Sequence, residues 1–421
     1  MRCRYCAVRR QTAPRPGEKE LQVLDYQNTQ WTLMRTLAAA YALHFMGADM
    51  MAAYHRFEAD RERGDFRALP EVRQRGAEVL RSAQPPIMCA AVVPCSPRIR
   101  LHAGASQMPL CSLSTQLHPL SSGLKAVASW MAAEGIEECR RCCGGQGYSV
   151  LSGLPTLLAS YVQNCTWEGD NNVMALQMAR FLVKQMHRAE AGKAPGGQCA
   201  YFASKWTGQL PLDTPSDLLR ALQAASAASS RSAVARLRDG AGAEPTVEGP
   251  RWNGNTVSLI DAAKAHCRVV LAETFLRAVE GQRGTLADTN VHVLGRLAHL
   301  FVSDMVRESL AVLLASALVT GPAAAALVER EVSGEECHLG MHSGSLCVAG
   351  SRKRADLAPC AMQEALVREV RADAVPLVDS FAHEDYLLNS AIGRCVVRVP
   401  GGGRGWMEAA QDVLLTRVRE R

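Results

Sequence analysis

Hydrophobic positions recur every three to four residues along most of this chain, the period of a helix with one buried face. From Val23 to about Arg63 the repeat runs through Met34, Leu37, Tyr41 and Phe45, and Gly64 and Pro70 close it. A second helix is expected from about Ser122 to Cys143, with Ser121 or Ser122 as N-cap and Gly144-Gly145 as the stop. A third follows Asp170 and runs to about Ala191. A fourth opens on "TPSDLL", with Thr214 as cap, Pro215 in the first turn and Asp217 three residues on, the arrangement of a capping box. "SLIDAAKAH" repeats that box with Ser258 and Asp261. Further helices are expected at about 257–280, 288–319, 321–332 and 361–372. Alternating, strand-like patterns are scarce. The expected fold class is therefore all-α, built as two packed helical bundles.

Two segments break the periodicity. Pro85–Gln116 is rich in proline and cysteine with no clear repeat, and Gly334–Pro359 is similar. Both are expected to be long irregular insertions, since a structureless loop of that length is rare inside an ordered domain. Residues 239–256, "DGAGAEPTVEGPRWNGNT", read as a linker between the helical halves. The expected organisation is residues 1–192 as one helical domain, 193–256 as a helix and linker, and 257–421 as a second helical domain.

Composition narrows the chemistry. The net charge of +6 is dispersed over 421 residues, without the basic, aromatic-interleaved stripe that nucleic acid demands, so no nucleic-acid partner is expected. No run approaches the ~18 apolar residues of a membrane span. Fifteen cysteines at irregular spacing do not describe a disulfide framework. Cys3 with Cys6, and Cys139 with Cys142 and Cys143, raise a zinc site, which wants four ligands in a tetrahedron. The two groups lie more than a hundred residues apart and the second sits within a helical pattern, so they read as thiols and no metal is expected.

One stretch carries chemistry. "CTWEGDNNV" sets Glu168 between Trp167 and Gly169, just before a helix start that Asp170 is placed to cap. A carboxylate kept dry against an aromatic ring has its pKa raised toward neutrality, the condition for a general base. Upstream, "CCGGQGYSVLSGLP" offers Gly144, Gly145 and Gly147, positions where backbone can approach a ligand closely.

The order of these segments resembles the acyl-CoA oxidases, relatives of the acyl-CoA dehydrogenases. "LHPLSSGLKAVASWMAAEGIEECRRCCGGQGYSVLSGLP" followed by "CTWEGDNNVMALQMARFLVK" carries the likeness. "RYCAVRRQTAPRPGEKELQVLDYQ" and "VREVRADAVPLVDSFAHEDYLLNSAIGR" extend it to both sides. The resemblance implies the C-terminal helical half of such an enzyme. It implies that Glu168 is the catalytic base, removing the proton alpha to a fatty acyl-CoA thioester. FAD would take the hydride from the beta carbon, molecular oxygen would reoxidise the flavin to give hydrogen peroxide, and the product would be a trans-2-enoyl-CoA. It places Arg9 near the FAD phosphates, Gln27 in the same neighbourhood, Asp170 against the cofactor, and Gly144 and Gly145 against FAD held mainly by the other subunit of a homodimer. It implies a peroxisomal location, although this sequence ends "RVRER" where the family commonly carries a Ser-Lys-Leu type signal.

Departures from the family pattern are Thr12, where a phenylalanine is common, and Gln146, where a histidine is common. Family members also carry a helical domain and a β domain ahead of the point where this sequence starts. The alternative expectation is accordingly a non-catalytic helical fragment or dimerisation module.

Overall fold

The computed structural model describes residues 2–62, 110–240, 244–328, 358–383 and 388–393. The chain opens with α1 (Arg2–Val8) and a minimal antiparallel hairpin, β1 (Arg10–Gln11) against β2 (Leu21–Gln22), with Arg10 facing Gln22 and Gln11 facing Leu21. The remaining helices are α2 (Gln27–Glu62), α3 (Leu110–Arg141), the single turn α4 (Gly145–Tyr148), α5 (Leu154–Tyr161) and α6 (Asn171–Glu190). They continue with α7 (Pro215–Ala235), α8 (Gly249–Gly254), α9 (Thr256–Gly281), α10 (Asp288–Ala315), α11 (Gly321–Val328) and α12 (Ala358–Asp379). Among the described residues no helix is long and apolar enough to cross a membrane.

α9 is the centre. His266, Cys267, Val269, Val270, Leu271, Ala272 and Phe275 are all buried, and among its charged residues Arg268 pairs with Glu308 and Arg277 with Asp49 on neighbouring helices. It packs against α7, α6, α10, α2 and α3. α12 closes the far side against α2 and α10. Phe275 joins the two halves, with its ring centroid 5.4 Å from that of Phe45 on α2 and 6.1 Å from that of Phe301 on α10. The buried residues of both halves form one cluster, from Cys3 to Ile392. Where α3 crosses α9 and α6, Gly123 makes the approach possible. A Cβ there would sit 2.9 Å from both Cys267 Sγ and Met178 Cβ.

Several sequence expectations shift by physically clear amounts. The helix expected from Val23 is interrupted: Val23–Asp25 is a 3-10 turn, Tyr26 is extended (φ −73°, ψ 129°), and the long helix starts at Gln27. Ser121 and Ser122 are not caps. Both hydroxyls donate to the carbonyl of His118 from inside α3, which is already helical from Leu110, so residues 110–116 belong to a helix and not to an irregular insertion. The rest of that segment, and residues 334–357 of the other, lie outside the described residues, as do Gly64 and Pro70. The Thr214–Asp217 capping box forms as expected, with Asp217 N donating to Thr214 Oγ1 and Thr214 N to Asp217 Oδ2. The Ser258–Asp261 box does not. α9 starts two residues earlier, after Asn255, and Ser258 instead accepts a 2.7 Å bond from Arg236.

Residues 239–256 are not a bare linker: α8 buries Trp252, over whose ring the Arg180 guanidinium lies at 5.0 Å. α12 runs on past 372 to Asp379, through Pro376. Burial of Ala374 and Leu377 outweighs the missing proline N–H, and the Tyr41 hydroxyl donates to the Leu377 carbonyl at 2.8 Å.

Candidate active site

α3 carries the site. On the face turned to the start of α6, Lys125 and Ser129 sit one turn apart. Lys125 Nζ donates to the Gly169 carbonyl at 2.7 Å and to Asn171 Oδ1 at 2.9 Å. Asn171 is buried at 1% exposure, and its amide nitrogen donates to Ser129 Oγ and to the Ala126 carbonyl. The Cys165 thiol donates to the Ser129 carbonyl at 3.6 Å, so the turn is fixed to α3 on both sides of Glu168. Asp170 caps α6 as expected, its Oδ1 accepting from Asn172 N at 2.9 Å.

Between these anchors the backbone takes an unusual path. Glu168 has φ +58° and Gly169 φ +101°, two successive residues in the left-handed region. For glutamate that conformation costs about 1–2 kcal/mol. It persists only where the surroundings fix it, and such residues cluster at functional sites. Gly169 is also needed for space, since a Cβ there would meet Met174 Sδ at 2.5 Å.

The dry pocket expected for Glu168 is absent from this chain's described residues. Glu168 is exposed, and Trp167 is half exposed, its indole N–H donating to Asn164 Oδ1 at 2.7 Å instead of lying over the carboxylate. The physical reason is the left-handed turn. The segment that carries it stands in solvent, with Thr166 to Asp170 all exposed. The ammonium of Lys125 is the nearby positive charge. Partial burial lowers its pKa, while Cys165, Glu168 and Asp170 act in the opposite sense. Exposed large apolar side chains concentrate in the same stretch. Tyr148, Val150, Leu151, Leu157, Val162, Trp167 and Val173 account for most of those among the described residues, which marks the face as one built to be covered.

The other expected site residues form a second group, at the far end of α3. The helix ends at Arg141, and Gly144 turns the chain with φ 57° and ψ −139°, a conformation only glycine adopts readily. Among the described residues nothing lies within 4 Å of a Cβ built on Gly144 or Gly145, so their backbone presents a bare surface there. Gly147 is different, since its Cβ would fall 1.9 Å from the Arg140 carbonyl oxygen. α1 packs alongside: Arg2 donates to the Glu138 and Cys139 carbonyls, and Tyr5 is within electrostatic reach of both Cys143 and Arg9. The Arg9 guanidinium has no carboxylate or hydrogen-bond partner among the described residues. The hairpin returns the chain to it, with Val23 N donating to the Arg9 carbonyl at 2.8 Å, and Gln27 then starts α2, exposed. From Lys125 to Arg141 is roughly 24 Å of helix. The structure thus brings Arg9, Gln27, Gly144 and Gly145 to one end, and Glu168 and Asp170 to the other.

The two cysteine groups, distant in sequence, do meet. Cys3 is within electrostatic reach of Cys6 and Cys139, and Cys143 of Cys6 and Cys139. Burial pushes the Cys3 and Cys143 thiols up to about 12, so they are protonated. Among the described residues no group of three His, Cys, Asp or Glu side chains is arranged to hold a metal ion.

Comparison with known proteins decides the family. The family model "Acyl-CoA oxidase, C-alpha1 domain" matches residues 2–83 and 97–183, and the model "Acyl-CoA oxidase" matches 214–334 and 342–395. The chain belongs to the acyl-CoA oxidase family. It is similar to peroxisomal acyl-coenzyme A oxidase 1 of Homo sapiens, 29% identical over 404 residues that take in 93% of this chain and 49% of that protein. Among solved structures, acyl-CoA oxidase 1 of Arabidopsis thaliana superposes with a TM-score of 0.70 at 26% identity, covering 98% of this chain and 50% of that one. Acyl-CoA oxidase-1 of Caenorhabditis elegans, complexed with FAD and ATP, gives 0.68 at 25% identity, covering 93% and 48%. The chain spans about half the length of the curated acyl-CoA oxidases it matches. Its helices correspond to the helical C-terminal domains of those oxidases.

Lys125, Ser129 and Asn171 were not singled out from the sequence. The signal was present as two polar residues at i and i+4 on an otherwise apolar stretch, "GLKAVAS", but it named no partner.

Proposed function

We propose that this chain supplies the base-bearing helical half of an acyl-CoA oxidase that converts a fatty acyl-CoA to a trans-2-enoyl-CoA. The observation that carries the reading is the left-handed turn at Glu168, pinned from α3 and presented outward on an apolar face. In this reading the Glu168 carboxylate takes the proton alpha to the thioester, whose carbonyl stabilises the charge left behind. Dryness comes from what covers the face, because substrate, cofactor and the opposing protein wall exclude water that this half alone does not.

The bare backbone at Gly144–Gly145 and the unpaired Arg9 guanidinium suit an anionic dinucleotide, which supports FAD. FAD supplies acceptance of the beta-carbon hydride and delivery of the electrons to molecular oxygen, released as hydrogen peroxide. Arg9 would hold its phosphates, with Gln27 beside them, while Asp170 combines capping of α6 with a place next to the base. Separation of the glycine pair from Glu168 along α3 fits a homodimer in which each pair serves the neighbouring subunit's cofactor. Residues 1–192 then carry the base, 193–256 connect, and 257–421 form the supporting bundle. The naming of its relatives supports a peroxisomal location.

The test is Glu168→Gln. Peroxide formation from a long-chain acyl-CoA should fall to background while flavin absorbance near ~450 nm is kept, since the amide preserves shape and removes the base. Unchanged turnover would defeat the assignment. The exposure of Glu168 favours one second reading, a non-catalytic helical module that pairs with another copy. A purified protein without flavin colour and inert to acyl-CoA would support it.

A further inference from the structure

We propose that Lys125 is the positioning residue of Glu168: its ammonium, fixed between the Gly169 carbonyl and Asn171 Oδ1, holds the left-handed turn that sets the direction of the carboxylate. The inference rests on Glu168 being the base. A left-handed glutamate has no local reason to stay so. Its own side chain makes no hydrogen bond among the described residues, and Gly169, next along, is the most freely rotating residue type. The restraint therefore comes from the far side of the turn. On that side two anchors are available, the Cys165 thiol on the Ser129 carbonyl holding the near side. Asp170 caps α6 through Asn172 N, which fixes the helix start but leaves the peptide between Gly169 and Asp170 free to rotate. Lys125 bonds the Gly169 carbonyl itself, and is the residue that ties the turn's backbone to α3 at that point.

Asn171 makes the anchor stiff. It is buried, and its amide is held by Ser129 Oγ and the Ala126 carbonyl, so the second acceptor of Lys125 does not move. The same cation stands within electrostatic reach of Glu168, Asp170 and Cys165. Lysine suits the task better than arginine, since a compact ammonium directs single donors at two unrelated acceptors where a planar fork does not.

The experiment uses Lys125→Met, which keeps the apolar stem and removes the donor. Backbone chemical shifts of Glu168 and Gly169 in glutamate- and glycine-labelled protein report the left-handed conformation without any need for turnover. The expected result is loss of that signature at both residues, with the methyl resonances of Met178 and Leu182 on α6 unmoved. In the same variant the kcat for peroxide formation should fall on the order of 10- to 100-fold, with KM for acyl-CoA within about two-fold, because orientation and not binding is lost. Retention of the left-handed shifts overturns the proposal, and so does loss of kcat and KM together with α6 methyl shifts, which marks general damage. If Lys125→Met does not accumulate as folded protein, Lys125→Arg keeps charge and stem and should displace the same two backbone resonances; undisturbed resonances there also overturn it. A wild-type protein that makes no peroxide defeats the oxidase reading alone, and the backbone shifts still decide the role of Lys125.

Discussion

A buried histidine makes the acid stability of this bundle calculable. His266 lies at the heart of α9, 1% exposed, its Nδ1 bonded to the Tyr201 hydroxyl at 2.8 Å, and that hydroxyl is in turn 2.8 Å from Ser226 Oγ. Desolvation lowers its pKa to about 4, against an unfolded value of about 6.5. Between those values the unfolded chain binds the proton and the folded chain does not. Stability is therefore complete above the unfolded value and is lost as pH falls toward the folded one. By pH 5 the loss from this residue is about 2 kcal/mol relative to pH 7, and it reaches a limit of about 3 kcal/mol near pH 4. His44, His299 and His383 are also lowered by burial and add to the total in the same direction. Glu273, raised by burial, opposes them weakly. A difference experiment removes these shared contributions. His266→Gln keeps an amide toward Tyr201 and cannot titrate. Urea unfolding of both proteins at pH 7 and pH 5 should show the variant less stable at pH 7 but losing about 2 kcal/mol less than wild type on acidification. Equal losses in the two proteins would refute the reasoning and show that His266 is accessible to a proton in the folded state.

Gly147→Ala should destabilise by about 2–3 kcal/mol in urea unfolding, because its Cβ would land 1.9 Å from a carbonyl oxygen of α3, and backbone must move to admit it. Gly145→Ala, which meets nothing among the described residues, should change stability by less than about 0.5 kcal/mol and serves as its control. Iodoacetamide at pH 8 should leave Cys3, Cys143 and Cys267 unlabelled in native protein, since burial holds these thiols near 12, and mass spectrometry should find them modified only after unfolding.

The fold was legible because helices announce themselves through one-residue-wide rules. The period of apolar positions gave most helices, and Thr214 with Asp217 gave a boundary to the residue. Boundaries failed where tertiary contacts overrode local signals. The last helix was expected to end near 372, yet packing of Ala374 and Leu377 and the bond from Tyr41 carry α12 on through Pro376 to Asp379. Ser121 and Ser122 read as caps, yet the helix had already begun eleven residues before Ser121, at Leu110, and the hydroxyls turned back to His118. Trp252 in a glycine-rich stretch was the overlooked sign that 239–256 folds back, since a large aromatic is rarely left in a linker.

The site was legible in a narrower sense, which follows from how its parts are made. Glu168, Asp170 and the glycine pair stand in short contiguous motifs, so their identities survive reading in one dimension. Their environment does not. Whether a carboxylate is dry depends on what lies across from it, and among the described residues nothing covers Glu168, which is exposed. Trp167, its neighbour in sequence, bonds Asn164 three residues back, because the helical turn that ends with Trp167 N on the Gln163 carbonyl closes before the left-handed Glu168. Several apolar residues between Tyr148 and Val173 are likewise left exposed by the described residues. If Glu168 is the base, as proposed above, an exposed acid on a strained turn, anchored by a lysine, can be kept dry only by something that covers it. Under that proposal desolvation is a property of assembly, and proton abstraction is to be measured on a protein in which that face is closed.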